Sequence, residues 1–251
     1  MAAPERFVAW MTSHEHVDRT HGHVYRYHSR SDSHSVALCG FVMDDLLDVC
    51  PVLAEHARRG VVAYGINLSF QFPSGKVKNL DLAIGTQTQI PLDSGEPVGR
   101  VAELTTLRLA MEAKSVMTEH KKSQPRVFDE LSSSHEIVHQ GGQDTIAAGI
   151  TVINIADRFV SPLRQTGPEL HWTIHKQPVV AESMVRHLRG LPIRDHEGEV
   201  GFDAYATVVI SCDNQGPASV WSGAPAPQPG DRDHYQTFLE RLAAAYVTRF
   251  S

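Results

Sequence analysis

The amino-acid sequence predicts an α/β protein in which helices flank a central mixed β-sheet. Three patterns of apolar residues carry this prediction. Apolar residues recur at helical spacing over residues 36–47, alternate with polar residues over residues 61–72, and dominate residues 145–156. The first pattern is typical of a helix with one buried side, the second of a half-buried strand, and the third of a strand covered on both faces.

The first helix is expected to begin at Asp32 or Ser33, because either side chain can accept a hydrogen bond from the first helical turn. The alternating strand that follows places its apolar side chains, Ile66 and Leu68 among them, on one common face. Residues 73–75, with the sequence Pro-Ser-Gly, indicate a turn that leads into a second strand.

The second strand is predicted over residues 76–85, and a polar loop over residues 86–101 separates it from a third strand over residues 104–114. A helix is then expected to start at Ser123 and to end at the glycine pair of residues 141–142. With the buried strand over residues 145–156, the element order is α-β-β-β-α-β. Three further elements are predicted in a C-terminal extension: a helix near residues 182–188, a strand near 205–212 and a helix over 234–249.

Composition excludes several classes of protein. The chain has 251 residues with 23 Lys and Arg against 29 Asp and Glu, so its formal charge of −6 argues against a uniformly basic nucleic-acid coat. The longest apolar run, residues 36–43, is much shorter than the roughly 20 residues that cross a membrane. The first residues lack the long apolar region of a secretory signal, so we expect a soluble, cytoplasmic protein. Three cysteines at unrelated spacings argue against a disulfide framework.

Three charged side chains form the candidate catalytic group. Asp81 interrupts the second strand, where Asp is disfavoured, and Glu112 and Lys114 lie two positions apart on the third strand, hence about 6–7 Å apart on one face. If the two strands pair, the carboxylates of Asp81 and Glu112 converge. Together with the backbone carbonyl of Ala113, they suit Mg²⁺, which would activate a water molecule for hydrolysis of a phosphodiester. The alternative is a solvated cross-strand pair beside a surface carboxylate.

These residues resemble the PD-(D/E)XK nuclease superfamily, which has the restriction-endonuclease-like fold. The resemblance covers residues 32–156 and rests on Asp81, on the run Glu112-Ala113-Lys114 and on the element order. It implies that Asp81 and Glu112 bind Mg²⁺, with Mn²⁺ as a substitute, and that Lys114 assists the attacking water. It also implies a DNA endonuclease acting in restriction or phage defence. The proline that precedes the aspartate in the family is Leu80 here.

Basic residues after the candidate site suit the phosphates of DNA. Lys121, Lys122 and Arg126 lead into the predicted helix, and Lys78 lies on the hairpin. A solvated basic loop is the alternative interpretation. The family's first helix sometimes adds a polar residue to the metal site, and the candidates for that role are Asp32, His34 and Asp44. Because cutting both strands of a duplex usually needs two sites, a homodimer or higher oligomer is expected.

The domain organisation is predicted as a His-rich segment over residues 1–31 and a single nuclease-like domain over residues 32–251. The core of that domain is expected over residues 32–156, and residues 157–251 form the extension.

Other functions remain open. The enzyme could be an effector nuclease that a ligand or partner activates, or the fold could be a non-catalytic module that binds nucleic acid or protein. The spacing of His14 with His16, and of His21 with His23, also suits a metal-binding or pH-responsive arm. Residues 132–135, with the sequence Ser-Ser-Ser-His, are interpreted as helix surface rather than as a hydrolase motif.

Overall fold

The computed structural model describes residues 1–87, 101–196 and 198–251, so most of the predicted polar loop over residues 86–101 lies outside the described residues. The α-helices in these ranges are α1 (Ala3–Ser13), α2 (Ser33–Val49), α3 (Pro51–Arg58), α4 (His120–Gly141), α5 (Val179–Leu188) and α6 (Tyr235–Phe250). The strands are β1 (His16–Val17), β2 (Val24–Tyr25), β3 (Ala63–Gln71), β4 (Val77–Gly85), β5 (Leu109–Val116), β6 (Ile146–Asn154), β7 (Arg158–Val160), β8 (Trp172–Ile174), β9 (Ala204–Ser211) and β10 (Ser219–Val220).

The central sheet is mixed, as the sequence predicts. Its strand order is β10-β9-β6-β5-β4-β3. Strands β3, β4 and β5 pair antiparallel, β5, β6 and β9 pair parallel, and β10 closes one edge antiparallel. Helices α1, α2, α3 and α6 contribute to one hydrophobic cluster, and helices α4 and α5 to a second. The sheet is therefore covered on both faces, which explains why every residue of β6 is buried.

Helix α2 confirms the predicted helical pattern, since Leu38, Val42 and Leu46 all lie in the first cluster. Asp32 occupies the position before this helix, but its side chain does not cap it. The Asp32 carboxylate instead accepts a hydrogen bond from the side-chain amide of Asn67 on β3, at 2.9 Å. A tertiary contact has therefore replaced the local one that the sequence suggests.

The prediction that Ile66 and Leu68 share one face of β3 is wrong. Ile66 packs in the first cluster with Leu82 of β4, whereas Leu68 packs in the second with Leu80. The residue between them, Asn67, has a positive φ of 54°, a left-handed conformation that Asn tolerates better than most residues. This interruption of the extended backbone sends the side chains on its two sides to different layers, and an alternating pattern does not reveal it.

Two predicted boundaries are also wrong. The third strand begins at Leu109 rather than at residue 104, and helix α4 begins at His120 rather than at Ser123. The helix starts where Glu119 adopts a left-handed conformation, with φ of 56°, and accepts the first helical hydrogen bond from the backbone of Ser123. Pro125 therefore lies inside the helix, beyond the first turn where a missing N–H has no cost.

The N-terminal helix α1 and the C-terminal helix α6 pack in the same hydrophobic cluster. Phe7 and Met11 of α1 lie in the first cluster together with Leu242 and Tyr246 of α6. Strand β9 pairs along β6, so the predicted extension adds strands to the central sheet. The domain boundaries at residues 31 and 156 stay a prediction.

The three cysteines are buried, and none is joined in a disulfide bond in this structure. Among the described residues, no helix combines the length and the apolar character that crossing a bilayer requires.

Candidate active site

The candidate site lies where strands β4 and β5 separate. Their antiparallel ladder pairs Leu82 with Met111, and the next pair in this register is Asp81 with Glu112. There the ladder stops, and the Asp81 side chain replaces a backbone acceptor: its Oδ2 accepts a hydrogen bond from the Ala113 N–H at 2.7 Å. The aspartate that breaks the strand pattern thus occupies the gap between the strands, beside Glu112.

Glu112 is a buried carboxylate with three donors around it. Its Oε1 lies 2.6 Å from the Nζ of Lys114, and its Oε2 lies 3.0 Å from the Nζ of Lys78. The hydroxyl of Ser134, on α4, donates to the same Oε2 at 3.3 Å. Glu112 is only 8% exposed, so these partners offset the cost of removing its charge from water.

Burial and charge set the protonation of this group. Burial is the main cause that raises the pKa of Asp81 to about 6, and the neighbouring charge of Glu112 adds to it; the hydrogen bond from Ala113 acts in the opposite direction. For Lys114, burial acts to lower the pKa, but the Glu112 carboxylate and more weakly Glu130 outweigh it, so the pKa is raised. Lys114 is therefore a cation at neutral pH.

Helix α4 supplies site residues that the sequence did not indicate. Glu130 lies 3.2 Å from the Nζ of Lys114 and 2.8 Å from Arg126. Ser134 follows one helical turn later and reaches Glu112. The interpretation of residues 132–135 as helix surface is wrong for Ser134 and His135, which are buried. Their positions continue the helical spacing of Val127 and Leu131 on the buried side of α4. This spacing is the feature of the sequence that could have predicted their burial.

The predicted basic residues are not all brought to the site. Lys78 contacts Glu112 directly. Lys122 and Arg126 line a cleft of about 370 Å³ at the end of β5. Lys121 is exposed on the first turn of α4 and does not line the cleft.

Hydroxyl groups dominate the rest of that cleft, which we call the hydroxyl cleft. It is connected to the candidate site through Arg126, whose partner Glu130 also contacts Lys114. The hydroxyl-bearing residues that line it are Tyr27, Ser29, Ser115, Thr118, Ser123 and Ser161.

The three residues predicted as additional contributors to the metal site lie on α2 or directly before it, and they make different contacts. Asp32 contacts Asn67, which faces Asp81 across the β3–β4 register. The buried His34 ring donates from Nε2 to the carbonyl of Arg26 at 3.0 Å. Asp44 is largely exposed and forms an ion pair with Arg6. Asp32 is therefore the candidate nearest to the hairpin, and the contacts of His34 and Asp44 are made elsewhere.

The histidine rings near the N-terminus, all within the described residues 1–87, lie close to one another, but no three of them are arranged to hold a metal ion. The ring centres of His14 and His16 lie 4.7 Å apart, and those of His16 and His34 lie 5.2 Å apart. Those of His21 and His23 lie 5.7 Å apart.

Within the described ranges, no set of three or more His, Cys, Asp or Glu side chains is arranged to hold a metal ion. A site made of Asp81, Glu112 and the Ala113 carbonyl has only two such side chains, and Mg²⁺ characteristically completes its shell with water and substrate phosphate. Carboxylate and carbonyl oxygens are the donor type that a hard divalent cation prefers, but both carboxylate oxygens of Glu112 are in contact with lysines in this structure.

Comparisons of the chain with protein-family models, with curated proteins and with solved structures found no match.

Proposed function

We propose that this protein is a metal-dependent endonuclease that hydrolyses phosphodiester bonds of DNA. The observation that carries the proposal is the hydrogen bond from Ala113 to Asp81, which seats one carboxylate beside Glu112 and Lys114 where two strands part. The order α2-α3-β3-β4-β5-α4-β6 supports a restriction-endonuclease-like core, because it contains the α-β-β-β-α-β order of the nuclease superfamily, with the short helix α3 added before the first strand.

Asp81, Glu112 and the Ala113 carbonyl would hold Mg²⁺ or Mn²⁺. The bound ion would polarise the phosphate and lower the pKa of an attacking water. Lys114 remains protonated, so its role is to position that water and to stabilise the negative charge that develops on the phosphate, rather than to remove a proton. Lys78 holds the second oxygen of Glu112 and fixes the direction of the carboxylate.

The hydroxyl cleft would take the DNA strand next to the cut. Lys122 and Arg126 would contact phosphates there, and the hydroxyls of Ser29 and Ser161 would donate hydrogen bonds to phosphate oxygens. A homodimer would supply the second site that cutting a duplex requires.

The test is cleavage of supercoiled plasmid DNA with Mg²⁺, with Mn²⁺, and with EDTA. We expect the wild type to cut with either metal, and Glu112→Gln and Lys114→Met to lower the rate by at least about 100-fold. Glu136→Gln is the matched control, because Glu136 is an exposed carboxylate on α4. Cutting by Glu112→Gln at the wild-type rate would contradict the proposal.

A second candidate function, a non-catalytic module that binds nucleic acid, is favoured by one contact pattern. Both oxygens of Glu112 are already held by lysines, as in a structural ion-pair network. Fluorescence anisotropy with a labelled duplex in EDTA distinguishes the two functions. Binding that Lys122→Gln weakens, together with no cutting in either metal, would favour the module.

A further inference from the structure

A second polar cavity lies away from the candidate active site, and we call it the arginine pocket. Its volume is about 650 Å³. Asp144 and Asp203 place it at the starts of the parallel strands β6 and β9, and α6 forms one wall. It shares no residue with the candidate site or with the hydroxyl cleft. Its charged lining residues include Asp144, Arg194, Asp195, Asp203, Arg241 and Arg249.

A buried ion pair builds the floor of the arginine pocket. Arg194 is 3% exposed and Asp203 is 4% exposed. Two hydrogen bonds of 2.8 and 3.1 Å join the Arg194 guanidinium to the Asp203 carboxylate. Arg249 forms an ion pair with the same carboxylate, so two guanidinium groups share one negative charge. The Ala147 backbone N–H also donates to Asp203, at 2.8 Å.

A third arginine is fixed at the wall by the backbone. Arg241 donates to the carbonyl oxygens of Asp203 and Arg194, both at 2.8 Å, and it lies 2.9 Å from the carboxylate of Asp195. Asp195 is also paired with Arg232, at 3.3 Å. These contacts hold the side chain of Arg241 in one orientation, as a preformed binding site requires.

The lining of the pocket is balanced in charge but leaves guanidinium donors available. Three arginines, Arg194, Arg241 and Arg249, stand against the carboxylates of Asp144, Asp195 and Asp203, in a chain whose net charge is −6. In the part of the chain that the structure describes, Nη1 of Arg194 and of Arg241 and Nε of Arg249 make no hydrogen bond. Guanidinium groups with spare donors around a cavity match the oxygens of a phosphate.

We propose that the arginine pocket binds a small molecule that carries phosphate groups. Phosphate is indicated because three guanidinium groups line one cavity, and the oxygens of a phosphate accept paired hydrogen bonds from a guanidinium group. A small molecule is indicated because the volume falls within the range of about 300–1,000 Å³ that is usual for ligand pockets. This assignment does not depend on the proposed nuclease activity.

The experiment is calorimetric titration of the full-length protein with inorganic pyrophosphate in EDTA, without any metal. Two variants probe the pocket in different ways: Arg241→Gln removes a charge, and Ala244→Trp fills the cavity from an exposed position while keeping every arginine. Arg186→Gln, on the exposed side of α5, is the control. We expect saturable binding by the wild type and the control, and binding at least about 10-fold weaker in both pocket variants.

Circular dichroism and thermal unfolding check that the variants are folded, and Ala244→Trp keeps the test decisive if Arg241→Gln is unstable. Absence of saturable pyrophosphate binding by the wild type would overturn the proposal. Equal binding by the wild type and by Ala244→Trp would also overturn it. So would binding of a 20-nucleotide DNA strand that both pocket variants weaken and that pyrophosphate does not displace, because the pocket would then recognise a nucleic-acid strand.

Discussion

Asp81 lies in an environment that opposes its charged form. The side chain is largely buried between two strands, next to the carboxylate of Glu112, and its pKa is raised to about 6. The hydrogen bond from Ala113 offsets this only in part. A carboxylate held close to a second one is unfavourable for folding, and it is the arrangement that a divalent cation would relieve. The cost in stability can therefore be measured in the absence of metal.

Asp81→Asn is predicted to raise the free energy of unfolding at pH 7 by about 1 to 3 kcal/mol in EDTA. The raised folded pKa means that the folded wild type binds more protons than the unfolded chain between pH 3.8 and 6. Wild-type stability from this group is thus present below pH 3.8 and lost as the pH rises through 6. Asn keeps an oxygen for the Ala113 N–H and carries no charge.

Urea unfolding at pH 7 and at pH 4 measures this difference, which should shrink at the lower pH. Asp129→Asn is the control, because Asp129 is an exposed carboxylate on α4. A destabilised Asp81→Asn at pH 7 would contradict the electrostatic account.

At the scale of elements, the packing between α4 and the sheet depends on a glycine in β6, Gly149. Glu112 on β5 is paired in register with Gly149 on β6, and Gly149 is in turn paired with Tyr205 on β9. A Cβ atom on Gly149 would lie 2.8 Å from the Tyr205 ring and 3.2 Å from the Phe202 ring. The absent side chain therefore lets these two rings pack on the sheet next to the buried face of α4.

Gly149→Ala is predicted to lower the free energy of unfolding by about 1 to 3 kcal/mol, because the two rings must move to admit the new methyl group. Without such crowding, Ala in a strand is more favourable than Gly. Gly167→Ala is the matched control, since its Cβ would meet no atom within 4 Å. Chemical denaturation of both variants checks the prediction, which fails if Gly149→Ala is as stable as the control.

Periodicity predicted the elements better than it predicted the site. The helical spacing around Leu38 and the alternation in β3 identify a helix and a strand because packing on one face imposes those periods. The left-handed Asn67 breaks the alternation without any change in residue pattern. The contacts of Glu130 and Ser134 depend on how α4 crosses β5, which is a long-range property of the fold. A single sequence gives no direct indication of how one helix crosses a strand that is distant along the chain.

At the scale of the whole molecule, charge and burial are distributed unevenly. The chain has a net charge of −6, yet Lys122 and Arg126 lie together at the hydroxyl cleft, and three arginines meet three aspartates at the arginine pocket. His34 and His120 are buried at the starts of helices α2 and α4, where the protonated form is disfavoured. His120 is the clearest case, because it starts α4 and reaches the end of β6, where its Nε2 donates to the carbonyl of Asn154 at 2.7 Å.

The buried His120 predicts loss of stability in acid. Burial is the main cause that lowers its pKa to about 4, and His175 adds to this, while the bond to Asn154 acts the other way. Between pH 6.5 and 4 the unfolded chain binds more protons, so stability that is complete above pH 6.5 falls as the pH is lowered, by up to about 3 kcal/mol from this residue. His120→Gln should flatten the dependence of unfolding free energy on pH in this window, whereas the exposed His171→Gln should not. Equal slopes for His120→Gln and the wild type would show that other groups cause the acid sensitivity.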